Sequence, residues 1–109
     1  VIICMYYTKL IDVYTYGKHK NEYNETVKGY VKSLENIKCD VQPYSAEKLE
    51  KDYGYKVDCT KRIFCDIYEE IQESNIIVYR NKTYKVQKII EWDNYFELMI
   101  VEFEVKLDG

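Results

Sequence analysis

The sequence predicts a mainly β protein, built as a meander or small barrel, and three observations carry that expectation. Ile76 to Val105 reads as three strands joined by two tight turns. Upstream, apolar and polar residues alternate over Thr8–Tyr16, Ile37–Val41 and Tyr55–Cys65, the period of a half-buried strand. The one substantial helix signal, Ala46–Tyr53, is short and lies inside a long connection. At 109 residues the chain is the size of one domain, read over residues 1–109. Its 47% hydrophobic content can build a core, but a thin one that a partner chain would help.

Taken in order, Val1–Cys4 is apolar but too short for a signal h-region, and no basic segment precedes it. Met5 reads as a natural start, which makes residues 1–4 an upstream extension without a structural role. Thr8–Tyr16 places Leu10, Asp12, Tyr14 and Tyr16 on one strand face and Ile11, Val13 and Thr15 on the other. Gly17–Asn24 is polar and reads as a loop. Glu25–Leu34 carries helix-like spacing at Val27, Tyr30, Val31 and Leu34, but Gly29 and the β-branched residues weaken a helix; the reading is a strand ending near Val31. Ile37–Val41 alternates again, and Gln42 is extended because it precedes Pro43.

Ser45 can cap the helix Ala46–Tyr53, whose Ala46, Glu47, Lys48, Leu49 and Glu50 are good or fair helix formers, and Gly54 can stop it. With few apolar residues, this helix is expected to be solvated or to face a partner. In Tyr55–Gln72 strand and helix spacing compete, which resolves as a strand to Cys65 and a helical turn over Asp66–Gln72. Ser74-Asn75 then turns the chain into Ile76–Tyr79. Asn81-Lys82 and Asp93-Asn94 are the expected hairpin turns of the C-terminal run.

The net charge is −3 and the pI about 5.2, which argues against a groove that tracks phosphates. Lysine far outnumbers arginine, and Ile, Asn and Tyr are common, the mark of AT-rich coding. No run is long enough to span a membrane as a helix. No phosphate-binding glycine loop and no nucleophile elbow occur. Cys4, Cys39, Cys59 and Cys65 lack metal-ligand spacing; three of them alternate with apolar residues, as reduced thiols acting as small hydrophobes do. His19 lies in a polar loop. Glu69, Glu70 and Glu73 read as a solvated acidic face rather than an acid–base pair. Trp92 reads as a core or interface anchor. Neither a cofactor nor a metal is expected.

Two features stand out. The excursion from Gln42-Pro43-Tyr44-Ser45 to Tyr53-Gly54 is longer than a hairpin needs, and long loops often carry function. The thirteen tyrosines cannot all be hidden in a small barrel, so some belong at interfaces.

The order of pieces resembles a known family. Tyr30-Val31 is followed by Val41-Gln-Pro-Tyr-Ser45 and a Glu/Lys-rich excursion ending in Tyr53-Gly54. Then come Ile77-Val-Tyr-Arg-Asn-Lys-Thr-Tyr-Lys-Val86, Ile89 and Ile90 leading to Trp92, and Glu97-Leu98. From Met5 to about Val105 this is similar to the head-completion proteins of tailed bacteriophages, also called head-closure, stopper or head–tail joining proteins. The cysteines, the added tyrosines and Asn-Lys in a hairpin where Gly is common depart from the family's usual look. The resemblance implies a β-barrel of about six strands with one short helix in a long loop. It implies a non-enzymatic virion neck protein: a dodecameric ring below the portal and its adaptor protein, above the tail protein it docks, assembled in the host cytoplasm. It also implies a loop from each subunit that points into the channel and helps hold packaged DNA, near it but without reading sequence. By position that loop is Tyr44, Ser45, Glu47, Lys48, Glu50, Lys51, Asp52, Tyr53 and Gly54.

Other classes stay in view. A tail-completion protein or another neck or tail component shares these features. An OB-like nucleic-acid barrel would surround its aromatic platforms with basic residues, whereas here acidic residues interleave with the tyrosines. A small enzyme would need a nucleophile–base set that the chain does not display.

Overall fold

The structure, a computed structural model, describes residues 7–20 and 22–107; the reading of Val1–Cys4 as an extension lies outside them. Six strands and one helix follow in order: β1 (Lys9–Lys20), β2 (Thr26–Pro43), α1 (Ala46–Tyr53), β3 (Lys61–Cys65), β4 (Ile76–Tyr79), β5 (Lys82–Glu91) and β6 (Phe96–Glu102). The strands close into a barrel in the order β1-β2-β3-β6-β5-β4, with β4 pairing back onto β1. All six pairings are antiparallel. Closure satisfies backbone groups that an open sheet would leave at its edges.

The barrel interior follows from the alternation. Ile11 and Val13 of β1, Ile63 and Cys65 of β3, Val86 of β5, and Phe96, Leu98 and Ile100 of β6 share one buried cluster. Each large aliphatic side chain sealed there contributes roughly 1.5–3 kcal/mol relative to exposure. Cys39 and Cys65 are direct cross-strand partners, and Cys39, Cys59 and Cys65 are buried free thiols. Burial pushes the Cys39 and Cys65 thiols up to about 12, which keeps them protonated and inert at neutral pH.

The structure corrects the expected elements at four places. First, Gly17–Lys20 continues β1 instead of starting a loop, and the expected strands near Glu25–Val31 and Ile37–Val41 are one strand, β2. The pairing passes two irregularities, where Ile11↔Ile37 is followed by Val13↔Leu34 and Tyr14↔Lys32. Extra β2 residues are absorbed there as bulges. Asn36 takes a positive φ of 53°, and its N–H donates to Asp12 Oδ1 at 2.9 Å. These bulges break the apolar period, which is why the sequence reads as two strands.

Second, β3 starts at Lys61, not Tyr55. Thr60 N–H donates to the Ile100 carbonyl at 2.8 Å, but Tyr55–Asp58 forms no ladder, because its chain is committed to returning from α1. Third, Asp66–Gln72 is not helical. The segment is held as a turn: the buried Asn75 accepts from Gln72 N–H at 2.7 Å through Oδ1, and its carbonyl accepts from Val86 N–H at 2.9 Å. Fourth, the β4–β5 turn sits one residue earlier than expected, at Arg80-Asn81, both with positive φ (51° and 63°). That is the geometry of a two-residue primed turn, which suits the twist of the flanking strands.

β1 pairs with β4 only over Asp12–Tyr14, and β2 pairs with β3 only over Cys39–Pro43. The distal halves of β1 and β2 therefore form a two-stranded arm, met among the described residues by a parallel bridge between Tyr30 and Leu107. The molecule is elongated accordingly, 51 × 26 × 24 Å.

Candidate functional site

The excursion between β2 and β3 is a docked helix. Ser45 has extended φ and ψ, and its hydroxyl accepts from Lys48 N–H at 3.1 Å, an N-cap. Gly54, at φ 80°, closes the other end by donating its N–H to the Glu50 carbonyl at 2.8 Å. A left-handed residue there favours glycine because it has no Cβ to clash. Helix boundaries, cap and stop agree with the sequence reading.

The expectation is a helix that is solvated or faces a partner; one side of it is open and the other is buried against its own barrel. Glu47, Lys48, Glu50, Lys51 and Asp52 are exposed, whereas Tyr44 and Leu49 are buried. β6 explains this. Its alternate residues Phe96, Leu98 and Ile100 fill the barrel, which points Glu97 and Met99 outward. Helix α1 covers that outer face: Tyr44, Leu49, Cys59 and Met99 form a second cluster, with Val57 and Ile90 packed against it.

A polar hub lies beside this cluster. Glu97 is only 1% exposed. Its carboxylate accepts from Arg62 Nη1 at 3.3 Å, Tyr53 Oη at 3.1 Å and Trp92 Nε1 at 3.1 Å. Buried charge is tolerable only with such partners. Arg62 also donates from Nε to Gln42 Oε1 at 3.1 Å and lies 4.4 Å from the centre of the Tyr44 ring, a cation–π distance. Tyr44 Oη donates to Asp52 Oδ2 at 2.8 Å. Both ends of α1 are thus tied to the barrel, at Tyr44 and at Tyr53.

The hub shifts the phenols. Burial first, then the Glu97 charge, pushes Tyr53 up to about 12. Burial and the Asp52 hydrogen bond push Tyr44 up as well. Both are therefore neutral donors at physiological pH. Around Tyr53 the rings continue outward: Trp92 stacks on Tyr95 at 6.2 Å, and Tyr95 meets Phe64 edge-on at 5.9 Å. Trp92 stays 40% exposed, so it is an anchor with one face open.

The structure thus brings Tyr44, Ser45 and Tyr53 into the support of the helix, while Glu47, Lys48, Glu50 and Lys51 form its outer surface. Asp52 belongs to both, being exposed and bonded to Tyr44. Sequence reading missed Glu97 and Arg62 as the elements that hold this site. One signal was available: Glu97 is the lone charge in the apolar run Phe96–Val101. Among the described residues, no group of three His, Cys, Asp or Glu side chains is placed to hold a metal.

A closed antiparallel barrel carrying a charged helix on a buried polar hub defines a small structural module whose chemistry lies in its surfaces. Residues 7–104 match the phage head completion protein family, and the chain belongs to it. Membership makes it a structural component of the phage virion at the head–tail region. No curated protein matches the chain by sequence. Among solved structures, the fold is similar to protein SF1141 from Shigella flexneri 2a, at 12% identity and a TM-score of 0.66, covering 86% of this chain and 90% of that one. It is also similar to protein xkdH of the phage-like element PBSX from Bacillus subtilis, at 11% identity and a TM-score of 0.54, covering 86% and 92%.

Proposed function

We propose that this protein closes the phage head as a ring of identical subunits between the portal or adaptor protein and the tail, with α1 turned toward the DNA channel. One observation carries the reading beyond family membership. The helix is clamped at both ends to the barrel, yet presents Glu47, Glu50 and Asp52 to solvent. A rigid acidic rim repels phosphates, so DNA passes without being captured. Lys48 and Lys51 offset part of that charge, as does Lys56, which pairs with Glu50 at 3.8 Å. The free subunit is a monomer or weak oligomer, and the ring forms on its neighbours.

The double variant Glu47→Lys/Glu50→Lys tests this while leaving Tyr44, Leu49 and Tyr53 in place. Particles carrying it should fill with DNA but eject it slowly, because the rim now binds phosphate. Deleting residues 46–52 should give filled heads that leak DNA or fail to join tails; circular dichroism of the purified variant checks that the barrel survives losing Leu49. Normal ejection and full infectivity from the double variant would remove α1 from the channel. Cryo-electron microscopy of intact particles gives the position of the ring directly.

A further inference from the structure

The β1–β2 arm has two unlike faces. Direct cross-strand partners share a face, so Tyr16 and Tyr30, Lys18 and Lys28, and Lys20 and Thr26 lie together. Lys18, Lys20 and Lys28 are exposed. Tyr16 is 57% exposed and meets Tyr30 edge-on at 5.0 Å. Lys18 directly opposite Lys28 is a repulsive pair, which costs stability in the isolated chain. Residues 15–32 hold four lysines and two glutamates, a net +2, and the rest of the chain therefore carries −5 of the total −3. The densest acidity is in the β3–β4 loop, residues 66–75, where Asp66, Glu69, Glu70 and Glu73 occur with no Lys or Arg. Among the described residues, Lys18, Lys20 and Lys28 on one side and Asp66, Glu69 and Glu70 on the other take part in no ion pair within the chain.

We propose that the Lys/Tyr face of the arm docks onto the acidic β3–β4 loop of a second copy of this chain. This inference rests on the ring reading and names the contact that joins neighbours. Two complementary charge sets left uncombined within one chain are combined when a ring brings the arm of each subunit to the loop of the next, a heterologous contact that closes on itself. From Thr15 to Lys20 the arm spans about 16 Å, enough to cross onto a neighbouring molecule whose two shorter dimensions are 26 and 24 Å. Tyrosine supplies contact area at low entropy cost. DNA is the weaker partner for this face, because Glu22 and Glu25 near the arm's tip repel phosphate and the body behind it is acidic.

The test replaces Tyr16 with the photo-reactive p-benzoylphenylalanine and irradiates purified particles. We expect a cross-linked species of twice the subunit mass, with the adduct in residues 66–75. Cross-links confined to a different neck protein, to DNA or within one chain would overturn the arm contact and leave the ring reading standing. Absence of the protein from the particles would remove the ring reading, and this one with it. Separately, Lys18→Glu/Lys28→Glu should lower incorporation into heads by about tenfold, and adding Glu69→Lys/Glu70→Lys should restore it. Unchanged incorporation, or loss without rescue, counts against the pairing.

Discussion

Helix α1 and the β1–β2 arm both leave the barrel wall, and the helix is tied back to it by side chains at both ends. Both are rich in Lys and Glu, so composition does not separate them. What does is one apolar residue and one phenol at the right places: Leu49 is fully buried against Met99, and Tyr53 reaches Glu97 across 44 residues of chain. Among the described residues, the arm's strand pairing is between its own two strands, with one bridge at Leu107. A polar segment is thus held or left projecting according to whether the barrel offers a surface to it. Two-stranded ribbons gain little stability alone, so the helix belongs to the cooperative core and the arm does not.

The sharpest way to break this contrast is Glu97→Ala. It leaves Arg62 without its carboxylate and frees Tyr53 and Trp92, and we expect a loss of about 3–5 kcal/mol in urea unfolding, toward the lower end because Arg62 is 26% exposed. Amide exchange in α1 should quicken with it. Leu49→Ala comes next, with a loss of about 3 kcal/mol from the cavity under the helix. Tyr16→Ala in the arm should cost under about 1 kcal/mol. Equal losses from the two would mean that the arm is as much part of the core as the helix.

A smaller effect lies in alkaline pH. The Tyr53 phenol is raised from an ordinary 10 to about 12 in the folded protein. Its contribution is fully present below pH 10 and is lost as pH rises through about 12, because the unfolded chain releases that proton first. Stability should therefore decline over pH 10–12, and Tyr53→Phe should flatten part of that decline. A variant as pH-sensitive as the parent would show that the Tyr53 phenol is not buried beside Glu97 in solution.

The smallest change carries opposite signs in two assays. Lys18→Glu turns the pair opposite Lys28 from repulsive to attractive. The isolated subunit should gain about 0.5 kcal/mol, measured by thermal unfolding, while assembly into particles weakens. Loss of both would place Lys18 in a contact within its own subunit.

Much of this was legible before the structure. Helix α1, its Ser45 cap and its Gly54 stop are local features, written in side-chain hydrogen bonding and in the steric freedom of one glycine. The mainly β class follows from period-two alternation, which any half-buried strand imposes. The length of β2 was hidden because its bulges near Ser33 and Asn36 shift the period between faces. Asp66–Gln72 misled because Ile63, Ile67 and Ile71 satisfy a helical spacing, while the side chain and carbonyl of Asn75 hold the chain in a turn. Glu97 could be noticed as a charge out of pattern, but its meaning depends on partners 35 and 44 residues away.

By itself, then, the sequence determined the elements whose causes are local: the strand periods, the capped helix, the tight turns and the overall acidity. The tertiary structure alone sets β4 closing on β1, α1 lying over the outer face of β6, and Lys18 standing directly opposite Lys28. Those outcomes depend on which distant surfaces meet when the barrel closes, and burial and charge pairing between distant residues leave no periodic trace in the chain.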